Sequence, residues 1–120
     1  ALIAADTNNE DHDLWLEHLE ARNRIFVVIN EDDSALGWSR RKPGKQQLPR
    51  LGHYLKNLSA RNAHYIDVTE AKYVGSDHGY FKGNPVEKNT KLQRVFRDIF
   101  GGRNAENGLT FRVDRNAYEV

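Results

Sequence analysis

Three stretches of the chain run apolar with little polar interruption: "LIAA" (2–5), "RIFVVIN" (24–30) and "AHYIDVT" (63–69). The second is β-branched, aromatic and apolar on both faces, the pattern of a central parallel strand covered on two sides. Between and after these runs the spacing changes to that of helices. Residues 12–22 place Trp15 and Leu19 on one face, with Leu16 beside them and the acids outward. Residues 33–41 start a short helix with Asp33 or Ser34 as its cap. Leu51, Leu55 and Leu58 suggest a further helix, with Pro49 tolerated in its first turn. The strongest helical pattern is 89–100, where Leu92, Val95, Phe96, Ile99 and Phe100 repeat at i, i+3, i+4, i+7 and i+8 before Gly101-Gly102 stops it. The tail, 109–120, reads as a hairpin or one edge strand.

Strands alternating with helices predict an α/β fold with parallel strands and right-handed crossovers. At 120 residues the chain suits one domain with a modest core. Only three parallel strands are expected, fewer than a covered parallel sheet usually has. The pattern therefore predicts a partial, mostly parallel sheet with flanking helices. Such a sheet leaves its first strand's edge open. The expected cover is a second copy in a homodimer, the C-terminal strand, or a missing half of the sheet.

Charge adds a second layer. The net charge is only +1, but residues 1–33 hold nine acids and two bases, and residues 34–66 hold seven bases and no acid. The basic block, Arg40, Arg41, Lys42, Lys45, Arg50, Lys56 and Arg61 with Trp38 and Tyr54, offers an alternative function: binding nucleic acid or an anionic surface. The plainer reading, a solvated loop that balances the acidic N-terminal third, is preferred. No window is apolar enough to span a membrane. There is no cysteine, hence no disulfide framework, thiolate nucleophile or cysteine zinc site. This favours a cytoplasmic location. The opening "ALIAADT" reads as the start of a cut or processed chain, with room for an upstream targeting segment.

In open α/β sheets, functional groups gather beyond the carboxyl ends of the strands. After "RIFVVIN" comes the acid cluster Glu31-Asp32-Asp33; after "AHYIDVT" comes "EAKYVGSDHGYF", with His78. Adjacent parallel strands would bring these loops together. A carboxylate accepting from one imidazole nitrogen fixes the tautomer and frees the other nitrogen to act as a base. Alone, a loop histidine is more often a surface residue, and a strand-end aspartate more often a helix cap.

These residues resemble the C-terminal half of an α/β-hydrolase, in a bacterial esterase/lipase-like branch. "IAADTNNED" matches a strand ending near Ala-x-x-Asp. "INEDDSALGWSRR" matches a strand followed by Asn-Asp-x-Ala-Leu with one inserted acid. Arg50-Leu51-Gly52 matches an Arg-Leu-Gly segment, and "YIDVTEAKYVGSDHGYFKGNP" matches a strand ending in Ile-Asp, then His-x-Tyr-Phe and Asn-Pro. The resemblance covers residues 2–100 and leaves 101–120 as a C-terminal extension. It implies Asp33, in the frame Asp33-Ser34-Ala35-Leu36, as the triad acid in preference to Asp32, and His78 as the base. Asp6 matches a position of that pattern but is given no catalytic role, and for Tyr80 and Phe81 packing of the histidine loop is preferred over substrate contact. The resemblance implies a small ester or acyl substrate and no metal or organic cofactor.

The Gly-x-Ser-x-Gly elbow that presents the nucleophile in such enzymes is absent. The serines are Ser34, Ser39, Ser59 and Ser76, and Ser76, two residues before His78, lacks the elbow spacing and an oxyanion-hole segment. The expectation is a nucleophile, oxyanion hole and early strands upstream, and a chain inactive by itself. A calcium site is the other rival: Asp6, Asn8, Glu10 and Glu17 fall at positions one, three, five and twelve of an EF-hand-like loop, but Asp11 stands where glycine is needed. His12 and His18 do not share a helix face.

Overall fold

The computed structural model describes residues 1–19 and 24–120. Their strands form one five-stranded sheet in the order β1-β2-β3-β5-β4. β1 (Leu2–Ile3), β2 (Ile25–Ile29), β3 (Ala63–Asp67) and β5 (Ala117–Glu119) run parallel; β4 (Thr110–Arg112) is antiparallel to β5. In β2–β3 register, Val28 lies beside Ile66 and Ile29 beside Asp67. The two strands therefore end level, and their following loops emerge side by side.

Alternation along β2 sorts its side chains into two cores. Phe26 and Val28 join Ile66, Val68, Tyr80 and the inner face of α4 (Thr90–Phe100); Val27 and Ile29 join Leu16, Leu51, Leu55, Leu58 and Tyr65. Both faces are covered, as the doubly apolar run requires. Helix α4 follows its sequence pattern closely. Asn89 caps it, accepting from Leu92 N–H at 3.0 Å, and Leu92, Val95, Phe96 and Ile99 are buried. Phe100 is different: it stacks on Phe96 from outside and stays two-thirds exposed. Gly102, at φ 69°, lets the chain leave the helix, with Arg103 N–H on the Asp98 carbonyl.

The structure departs from the sequence reading in four places, the first being a fourth parallel strand, β5, where three were expected. The expected helix through Leu51, Leu55 and Leu58 is only a 3₁₀ turn, Leu51–His53. Its backbone is engaged elsewhere: Leu51 N–H donates to Thr7, Gly52 N–H to Ala5, and Asn30 N–H to Gly52. The leucines reach the core from an irregular segment instead. Helix α1 (His12–Leu16) buries His12 and Leu16, while Trp15 and Leu19 are exposed; of the rest of the expected helix, residues 17–19 leave it in a turn and 20–22 lie outside the described residues. Its inner face is set by Leu16 entering the core beside Val27 and Ile29, and by His12 meeting Tyr65. A short helix unforeseen in the sequence, α3 (Asn84–Lys88), opens on Pro85.

Residues 101–120 complete the same sheet. The β4–β5 hairpin places Phe111 across from Tyr118, and β5 covers the edge of β3 rather than that of β1. Among the described residues no strand lies on the outer edge of β1.

Candidate functional site

Beyond the tip of β2 the chain turns through 30–33 into α2 (Ser34–Ser39). Asp33 is the helix cap: its Oδ1 accepts from Leu36 N–H at 3.0 Å. Its Oδ2 accepts from His78 Nδ1 at 2.7 Å. The carboxylate is fully buried, whereas the His78 side chain is half exposed. With Nδ1–H donated to Asp33, the neutral ring carries its lone pair on Nε2, which makes no hydrogen bond among the described residues. The pair thus has the form of an oriented base: one nitrogen anchored on a buried acid, the other facing outward.

Neighbouring acids take other places. Asp32 is exposed, and its backbone N–H bonds Asn30 Oδ1. Glu31 N–H bonds the Thr69 hydroxyl. Behind the histidine, Tyr80 is buried against Phe81 and Phe96 with its hydroxyl on the Val28 carbonyl. Burial pushes that phenol well above the usual tyrosine range, so it stays a neutral packing group. The loop is tied to the β2 tip by Asn30, whose side-chain amide donates to the carbonyls of Gly75 and Asp77, and by Ser34, which donates to Ser76. Sequence reading missed Asn30. The signals available were a polar residue ending an apolar strand and the Asn of the Asn-Asp-x-Ala-Leu frame, neither of which gives it a role.

Asp6 lies at the tip of β1, away from the histidine. It accepts from Ser39 Oγ at 2.7 Å and from the buried Arg50 at 2.8 Å, with Lys45 at 3.6 Å. Burial raises its pKa, but the Ser39 hydrogen bond and the charges of Lys45 and Arg50 outweigh this and hold it below the ordinary carboxylate value. Arg50 also donates to Asn8. Five of the seven bases of the basic block are engaged internally: Arg50 and Lys45 on Asp6, Arg40 on the Gln47 carbonyl, Arg61 on Glu17, and Arg41 over the Trp38 ring. The same contacts dismantle the calcium frame, since Asp6, Asn8 and Glu17 each serve an arginine; Asp11, in the glycine position, adopts φ 56°. Among the described residues no three acidic or histidine side chains are grouped to hold a metal.

His12 is buried and structural. Its Nε2 accepts from the Tyr65 hydroxyl at 2.6 Å, its Nδ1 donates to the Asn9 carbonyl at 2.6 Å, and Ala60 N–H donates to the same hydroxyl. No described helix is long and apolar enough to cross a membrane.

No protein-family model, curated protein or solved structure matches this chain.

Proposed function

We propose that the chain is the acid- and base-bearing C-terminal part of an α/β-hydrolase that cleaves a carboxylic ester or related acyl bond. The observation that carries this reading is the 2.7 Å hydrogen bond from His78 Nδ1 to the buried Asp33, at the ends of two adjacent parallel strands. A serine from outside these 120 residues attacks the acyl carbon. His78 Nε2 takes the serine proton and later returns it to the leaving alcohol, while Asp33 holds the ring and stabilises the imidazolium. The lack of a Gly-x-Ser-x-Gly elbow and an outer edge of β1 that is unpaired among the described residues are both consistent with a nucleophile-bearing half docking beside β1. The anion-binding alternative is disfavoured by the internal partners of Arg40, Lys45, Arg50 and Arg61.

The test is labelling of the full gene product by a fluorophosphonate. The expected result is one labelled serine in the full protein, none in the 120-residue chain, and a rate lowered by about four to six orders of magnitude in His78→Ala. Labelling at an undiminished rate in that variant would remove His78 from the mechanism.

A further inference from the structure

The three backbone carbonyls directly before His78 are captured in succession by residues at the β2 tip. Asn30 Nδ2 donates to Gly75 at 2.9 Å and to Asp77 at 3.2 Å. Between them, the Ser76 carbonyl accepts from Ser34 N–H at 3.1 Å and from Ser34 Oγ at 3.2 Å. Asn30 itself has no solvent exposure. Its Oδ1 accepts from Asp32 N–H, its carbonyl accepts from Asp33 N–H, and its N–H donates to Gly52. Every polar atom of this side chain and its backbone is thus occupied, and the network admits only one orientation of the amide. Reversed, the amide would point its oxygen at two carbonyls and face Asp32 N–H with a donor.

We infer that Asn30 is a positioning residue that sets the Asp33–His78 pair. Its catalytic meaning rests on the hydrolase reading above; the clamp itself does not. A single captured carbonyl is a pivot about which a loop can turn. Three in a row fix direction as well as distance, and Asn30 supplies the outer two. It also holds Asp32 N–H and Asp33 N–H, so one side chain and its own carbonyl determine where the acid turn and the histidine loop lie. Without the outer two bonds, the Ser34 contacts at Ser76 are what still holds the three carbonyls before His78. His78 Nδ1 is then no longer held opposite Asp33 Oδ2, and the ring divides between its two neutral tautomers.

The test is nitrogen and proton NMR of the His78 ring in the 120-residue chain, at a pH where the ring is neutral. The wild type should show a single Nδ1–H tautomer with a low-field, slowly exchanging Nδ1 proton. Asn30→Asp keeps the shape, but a carboxylate has no donor and a carboxylic acid only one, so it cannot hold both carbonyls. It should lose the low-field proton and show a mixture of tautomers. Ile29→Val, one residue earlier in the core, should leave both signals unmoved, which separates positioning from general loosening. A folded Asn30→Asp chain with unchanged His78 signals would overturn the inference. Should that variant not fold, the wild type still decides: scalar couplings from Asn30 Nδ2 to the carbonyl carbons of residues 75 and 77 are expected, and their absence overturns it. Failure of the full protein to label with fluorophosphonate would strike the hydrolase reading while leaving these ring signals to judge the clamp.

Discussion

Asp33 divides one carboxylate between two tasks: Oδ1 holds Leu36 N–H and Oδ2 holds His78 Nδ1. The two tasks are separable by substitution. Asn is as good a helix cap as Asp, so Asp33→Asn should unfold within a few tenths of a kcal/mol of wild type. Its amide nitrogen would face His78 Nδ1 with a donor, which moves the ring proton to Nε2 and removes the base. On the proposed hydrolase reading, fluorophosphonate labelling of the full protein should fall by about 10⁴. Asp33→Ala should show the same loss of labelling plus about 1 kcal/mol of destabilisation from the vacated cap. Chemical unfolding of both variants beside their labelling rates checks this.

The sequence carried β2 well because it is covered on both faces, and burial on two sides leaves an uninterrupted apolar run; β3 was legible through Tyr65, Ile66 and Val68 despite His64 and Asp67. Helix α4 was legible for the complementary reason, as its one buried face repeats with the helical period. The segment after Pro49 misled because three buried leucines at helical spacing are also reachable by an irregular chain whose backbone is tied to its neighbours. The direction of α1 was misread because His12, a polar residue, takes an inner position through its bonds to Asn9 and Tyr65. At the site, the places after two strands brought out the acid cluster 31–33 and His78, and the choice of Asp33 came from the Asp-x-Ala-Leu frame of the resemblance. Asn30 was not legible, because its role depends on carbonyls 45 and 47 residues away.

Gly52 shows how closely that irregular segment is fitted. A Cβ there would lie 2.4 Å from the Ala5 nitrogen and 2.7 Å from the Ala4 carbonyl carbon, both backbone atoms. Gly52→Ala must push the β1 tip away from the 3₁₀ turn and disturb the bonds from Gly52 to Ala5 and from Asn30 to Gly52. The expected cost is about 3 kcal/mol, the upper end of ordinary overpacking. A urea midpoint unchanged by the substitution would contradict the close approach.

Arg50 is almost completely buried, while the Asp6 side chain it binds is partly exposed. This asymmetry predicts which partner is costlier to lose electrostatically. Asp6→Ala leaves a buried guanidinium with only the Asn8 side chain and the residue 6 carbonyl as acceptors, and should cost about 2–3 kcal/mol. It should also remove a small acid-side dependence. The folded Asp6 pKa lies below its ordinary value of 3.8, so its contribution is present above that value and lost as the pH falls through the lowered one. Urea unfolding of wild type and Asp6→Ala between pH 5 and pH 2.5 should show the gap narrowing toward acid.

Tyr65 makes the opposite, alkaline prediction. Burial lifts its phenol from 10.0 to about 12, against the opposing hydrogen bond from Ala60 N–H, and the charges of Asp13 and Glu17 add to the rise. The folded state holds its proton more tightly than the unfolded chain does. Stability from this group is therefore intact below pH 10 and is lost as the pH rises toward 12, at up to about 1.4 kcal/mol per pH unit. Tyr80 shifts in the same direction and contributes to the same loss. Tyr65→Phe removes the donor to His12 and the acceptor for Ala60, so at pH 7 it should be less stable than wild type by about 1–3 kcal/mol. Phenylalanine has no proton to lose, however, and its stability should fall less steeply above pH 10. The two unfolding curves should converge between pH 10 and pH 12. A constant separation across that range would mean that Tyr65 ionises as readily in the folded chain as in the unfolded one, and that the buried His12–Tyr65–Ala60 chain of hydrogen bonds is not closed.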